Sequence, residues 1–307
     1  MWNRRSQAPP RWDPPSAQPS PPPIPPLRGS RPRRRSRLLI GLIFVAVLAV
    51  VVCGALGSTV RPSWLTLPWF GPTRAPLDAL SPDLAAYAKS QGDDMGVVVY
   101  DVTRNRYYSY NENTPFLLAS SAKVIIMLSY LDLVESQNRA PTIAETQLLS
   151  SMITVSDNTA AQTLYERRGW NSGQAQYVQQ IGVSGYQPNA NGWGWATLPP
   201  ASMAQIYTLL YQGKILNAAD RALAMKLLGE VDSDQRWGIG QAAPEGATVH
   251  MKDGWVAGPD GSWAMNSSGI VESGGETYIL SVYTQHQPSY SWTNVQRAAD
   301  LATQALT

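Results

Sequence analysis

The chain has 307 residues, 44% of them apolar and 15% charged, with a formal net charge of +2. That is length enough for one large domain or two small ones, and too little net charge to argue for a nucleic-acid partner. The total hides a split: residues 1–37 hold nine Arg, one Asp and eleven of the 24 Pro, leaving 15 basic and 21 acidic residues for the rest.

The Arg/Pro-rich stretch 1–37 has no apolar face to bury, and it reads as a disordered cytoplasmic tail rather than an RNA- or lipid-binding arm. Residues 38–60 carry no charge. At about 1.5 Å per residue this run crosses a bilayer core. Arg33, Arg34, Arg35 and Arg37 stand just before it, an arrangement that keeps the N-terminus cytoplasmic and exports the C-terminal part. We therefore expect a single-pass signal-anchor in the cell membrane. Cys53-Gly54-Ala55 has the spacing of a cleavage site, but the apolar run is longer than a signal-peptide core and follows a long N-terminal region, which favours retention. Cys53 is the only cysteine, so an intrachain disulfide is excluded and a cysteine-based metal site is not expected. Val50-Val51-Val52 lacks the small residue that precedes a lipidated cysteine, and Cys53 reads as one more apolar residue of the span.

Residues 61–80 read as a stiff Pro-rich linker, and a folded domain is expected over 81–307. Ser81-Pro82-Asp83 is a helix start. The β-branched and aromatic runs 95–101 and 106–110, separated by Thr103-Arg104-Asn105, predict a hairpin. A helix over 120–135 is apolar nearly all round (Val124, Ile125, Ile126, Met127, Leu128, Leu131), which places it inside the domain. Helices fit 143–153, 158–168, 173–181, 200–212 and 217–230; strands return at 247–254, 263–272 and 276–284, and a last helix fits 291–305. This order predicts an α+β domain whose antiparallel sheet is formed from both ends of the domain, with a helical middle packed on it.

Three strings carry the chemistry: Ser120-Ser121-Ala122-Lys123, Ser156-Asp157-Asn158 and Lys252-Asp253-Gly254. A serine hydroxyl is a poor nucleophile at neutral pH and needs a base. Lys123, one helical turn after Ser120, is placed to serve if burial lowers its pKa. Ser121 lies two residues from Lys123 and faces away. Asp157 suits a helix cap. His250 and His286 pair with no serine motif.

Taken together, these strings resemble the penicillin-recognising serine enzymes, above all the class A β-lactamases. Phe116-Leu117-Leu118-Ala119, Asn158-Thr159-Ala160-Ala161 and Leu198-Pro199-Pro200-Ala201-Ser202-Met203-Ala204 extend the likeness across roughly residues 80–307. The resemblance implies that Ser120 is acylated, that Lys123 is the base and that Ser156 relays a proton to the leaving nitrogen. It implies that Asn158 holds a substrate amide, that Lys252 attracts the substrate carboxylate, and that the Ser120 and Trp255 backbone N–H groups form the oxyanion hole beside Gly254. The expected substrate is a β-lactam or a peptidoglycan-derived peptide; no cofactor is implied.

Three features depart from the family pattern. The stretch 182–200, where the family carries a water-activating glutamate, has no Asp or Glu. Asp253 replaces a hydroxyl residue at a substrate-binding position, where it would repel an anion or pair with Lys252. Only 36 residues separate Ser120 from Ser156, which trims one wall of the cleft. An acyl-enzyme that hydrolyses slowly is expected; the alternative is a binding module for cell-wall peptide or a protein partner on the same fold. Trp193, Trp195, Trp255 and Trp263 either line the cleft or anchor a glycine-rich loop.

Overall fold

The computed structural model describes residues 73–258 and 260–306. A six-stranded sheet runs in the order β1-β3-β2-β8-β7-β6. Its strands are β1 (Thr73–Pro76), β2 (Met95–Asp101), β3 (Arg106–Tyr110), β6 (Thr248–Ala257), β7 (Trp263–Ser273) and β8 (Glu276–Gln287). The junction between the two ends of the domain is β2 against β8, with Val97 opposite Val282. All neighbours are antiparallel except β1 and β3. The sheet is therefore mixed rather than wholly antiparallel, and β1 lies inside the stretch read as linker. The Pro-rich composition concealed it, because an edge strand tolerates Pro76. Arg74 holds the strand in place through an ion pair with Glu112 at 3.0 Å.

Alternation along the strands sorts side chains onto two faces. Val97, Val99, Met251, Met265 and Leu280 pack with α1 (Pro82–Ser90) and α9 (Thr293–Leu306). Val98, Tyr100, Ile270, Ile279 and Tyr283 join the helical half instead. That half contains α2 (Ala122–Ser136), α3 (Ile143–Thr154), α4 (Asn158–Arg167), α5 (Trp170–Gln180), α6 (Pro200–Tyr211) and α7 (Ala218–Gly229). A short α8 (Ile239–Ala242) precedes β6. Every residue of α2 from Ala122 to Leu131 is buried, as its all-round apolar pattern requires.

Helix starts follow local chemistry. Ser81 Oγ accepts from Leu84 N, Thr142 and Glu145 form a reciprocal capping box at α3, and Asp157 Oδ1 accepts from Ala160 N at 2.7 Å. Asp157 is thus the cap that its type suggests. A two-stranded ribbon, β4 (Phe116–Leu117) with β5 (Thr197–Leu198), ties the chain before Ser120 to the end of the 182–200 stretch. Four residues of two short strands give no periodicity to read.

The turn that carries Ser120 is the most constrained piece. Residues Ala119–Ser121 form a 3-10 turn rather than the first turn of the helix, and Ala119 takes a left-handed φ of 48°. Such a conformation costs an alanine about 1–2 kcal/mol, and several groups hold it there. Asn266, fully buried on β7, donates from Nδ2 to the Leu117 and Leu118 carbonyls at 3.0 Å each and accepts from Ser121 Oγ. Gly254 of β6 lies opposite Asn266 and against the same turn: a Cβ there would meet the Leu118 carbonyl at 2.6 Å and Ser121 N at 2.8 Å. Gly254→Ala is therefore expected to destabilise the domain by about 1–3 kcal/mol. Chemical denaturation checks this, and a variant within experimental error of the wild type would show that β6 and the turn are not in contact.

Candidate active site

Lys123, on the first turn of α2, has no exposed surface. Its Nζ lies 3.1 Å from Ser120 Oγ, 2.9 Å from Ser156 Oγ, 2.6 Å from the Ser156 carbonyl and 2.8 Å from Asn158 Oδ1. Two turns distant in sequence are thereby joined through one amine. The second of them is also strained, since Ser156 has a φ of 58°, and this turn aims both its hydroxyl and its carbonyl at Nζ. Ser120 and Ser156 are half-buried and Asn158 is exposed, so the cluster is open on the side of the hydroxyls.

Burial pushes the Lys123 pKa well below its ordinary value. The nearby Lys252 pushes the same way, and Asp157 opposes both. Burial thus favours the neutral amine, which has two N–H bonds and one lone pair. The Ser156 carbonyl and Asn158 Oδ1 accept the two N–H bonds, which leaves the lone pair for a hydroxyl proton.

Lys252 is on β6, also without exposed surface. Nζ donates to the Asp253 carbonyl at 3.2 Å. Burial lowers its pKa to about 8, against the pull of the Asp253 carboxylate. No hydrogen bond joins it to Ser156 among those described; its tie to the cluster is the charge it places on Lys123. β6 is an edge strand of the sheet, so alternate N–H groups face away from β7. Gly254 brings that edge, with Trp255 next to it, against the turn that carries Ser120.

The placement of Asp253 corrects the sequence expectation. It does not line an open surface: its exposure is zero, and neither carboxylate oxygen has a hydrogen-bond partner of good geometry. It lies opposite Ser267, on the alternate face from Lys252. Burial drives its carboxyl well above the usual range, although Ser267, Lys252, Arg236 and the Trp237 backbone favour the charged form. A residue with no solvent contact cannot meet a substrate carboxylate directly.

The tryptophans likewise form no single wall. Trp193 is buried with its ring 5.1 Å from Lys123 Nζ. Trp195 packs near Ala119, Val256 and Ala264. Trp255 and Trp263 each meet Tyr290 edge-on, and Trp255 also meets Trp237. Asn266 escaped the sequence reading altogether; the available signal was an amide in the middle of a buried strand.

The sequence model described as "Beta-lactamase enzyme family" matches residues 79–142 and 139–306. This chain belongs to that family. The "Putative lipoprotein LppW" of Mycobacterium tuberculosis and of Mycobacterium bovis is 27% identical over 214 residues, 66% of this chain and 66% of its own length. The chain thus spans just under two thirds of the curated relatives it matches. Among solved structures, TLA-3 extended-spectrum β-lactamase superposes with a TM-score of 0.66 at 17% identity, covering 75% of this chain and 98% of that one. PBP-A gives 0.65 at 18% identity, with 76% and 98% covered, and a PBP-A mutant was solved as an acyl-enzyme complex with penicillin G. These likenesses establish the fold. The expected membrane span 38–60 lies outside the described residues; among those described, no helix is long and apolar enough to cross a membrane.

The buried carboxyl gives a pH test. A group whose folded pKa is raised keeps its stabilising contribution below the unfolded value, about 4 for Asp, and loses it as pH rises toward the folded value. Asp253→Asn removes that loss. Wild-type Tm is expected to fall relative to Asp253→Asn as pH is raised from about 4 to 8; parallel curves would mean that Asp253 is ionised in the fold.

Proposed function

We propose that this domain is an exported serine acyl hydrolase or acyltransferase that takes a β-lactam or a cell-wall peptide onto Ser120, tethered through residues 38–60. What carries the reading is the single buried amine of Lys123 within hydrogen-bond reach of both serine hydroxyls. Neutral Lys123 accepts the Ser120 proton as Oγ attacks the acyl carbon, and the carbonyl electron pair moves onto oxygen. Backbone N–H groups of Ser120 and Trp255 hold that oxyanion, each worth about 3–4 kcal/mol. The C–N bond then breaks. Its nitrogen takes a proton from Ser156, which is resupplied by the Lys123 ammonium 2.9 Å away. An ester on Ser120 and a neutral lysine remain.

Asn158, exposed beside the cluster, offers its amide to a substrate side chain, and Lys252 supplies a positive field for a carboxylate. Hydrolysis of the ester needs an activated water, and residues 182–200 offer no carboxylate for that work. Slow deacylation follows. The penicillin G acyl-enzyme obtained with a PBP-A mutant supports a fold that can hold such an ester. The name of the mycobacterial relatives agrees with an association with the membrane.

A fluorescent penicillin is expected to label the wild type and not Ser120→Ala; equal labelling overturns the assignment. Nitrocefin should give a burst without sustained turnover, whereas binding with no burst would identify a module that has lost its chemistry. The labelling rate should also fall above pH about 8, where Lys252 loses its proton. Lys252→Arg should move that alkaline limb upward, and an unmoved limb would remove Lys252 from the account.

A further inference from the structure

Trp193 stands out because its position combines three independent ties to the acylation site. It lies in the 3-10 turn Trp193–Trp195 and is 3% exposed. Its ring covers the Lys123 amine with Nζ 5.1 Å from the centroid. Its Nε1 donates at 3.2 Å to Gln162 Oε1 on α4, the helix that opens with Asn158. The same turn is linked to the nucleophile segment, since Leu118 N donates to the Ala196 carbonyl at 2.9 Å.

Around Nζ the hydrogen-bonding groups come from the Ser120 turn, the Ser156 turn and Asn158. An indole occupies a further side, one with a π face and no acceptor atom. Indole faces attract cations, by about 2 kcal/mol when desolvated. A ring also excludes water, which disfavours the ammonium far more strongly when burial is complete. Lys123 has zero exposure, so exclusion of water is the larger effect.

We infer that Trp193 is a positioning residue for the Ser120 chemistry: its ring keeps the Lys123 amine dry and aimed at the two hydroxyls, and closes one side against water that would hydrolyse the ester. This rests on the reading of Ser120 as the acylated residue. Two charged groups bear on the same amine and set the background. Lys252 of β6 favours its neutral form, and Asp157 at the head of α4 favours the charged one.

The titration of Lys123 can be followed by NMR of lysine labelled with 13C at Cε, its resonance assigned by loss in Lys123→Met. In Trp193→Ala the apparent pKa should rise by about one unit or more, because water reaches the ammonium. Trp193→Phe, which keeps a ring over the amine, should titrate as the wild type. Where Trp193→Ala does not fold, Trp193→Gln keeps more of the volume than alanine does, admits polarity and is read in the same way. In parallel, the lifetime of a penicillin ester should shorten about tenfold in Trp193→Ala or Trp193→Gln and not in Trp193→Phe. An unchanged Lys123 titration in the Ala or Gln variant overturns the inference, as does an unchanged lifetime. A wild type that takes no penicillin at all would instead overturn the reading of Ser120, and the NMR titration would still decide the role of Trp193.

Discussion

A lysine amine stripped of water is the constraint around which this domain is organised. An exposed lysine is an ammonium at neutral pH and can take no proton from serine. Burial opposes that preference, at a cost that the rest of the fold must offset. Here the offset comes from close packing: α2 is buried all round from Ala122 to Leu131, and Lys123 replaces its lost hydration with hydrogen-bonding groups of two turns and an exposed asparagine.

The Lys123 cluster also holds two of the eight non-glycine residues with positive φ among those described. Ala119 and Ser156 both take left-handed conformations, and each lies in a turn that presents a hydroxyl to Nζ. The first is held by Asn266 from one strand and by the close approach of Gly254 from the next. Sheet and helices therefore meet at the Ser120 turn, and the edge strand β6 brings the second buried lysine to the same region. The pair Lys252 and Asp253 follows one logic on opposite faces of that strand. Burial weakens both charges, lowering the amine to about 8 and raising the carboxyl.

Much of this was legible in the residues. The hairpin 95–101 and 106–110 coincides with β2 and β3, because alternating apolar residues around a polar turn admit few other conformations. The grouping of Ser120, Lys123, Ser156 and Asn158 was legible through motif order, and one amine lies within hydrogen-bond reach of the other three. What stayed hidden depends on contacts between distant segments. β1 sits in a Pro-rich stretch and exists because β3 offers an edge. Asn266 is an unremarkable residue until the Leu117 and Leu118 carbonyls approach it. Asp253 illustrates the limit most clearly: its neighbours in sequence suggested a cleft residue, yet strand alternation turns it into the interior. The tryptophans show the same effect, since four candidates for one wall divide between the amine, the Ala119 pocket and a cluster around Tyr290.

The central claim is that Lys123 acts as a neutral base and not as a fixed positive charge, and Lys123→Arg separates the two. A guanidinium stays protonated throughout the accessible pH range, so it can anchor Ser156 and Asn158 but can accept nothing from Ser120. The account predicts that acylation of this variant by penicillin, with folding verified by its thermal transition, falls by about 10²–10⁴-fold. Acylation at a rate close to that of the wild type would contradict it.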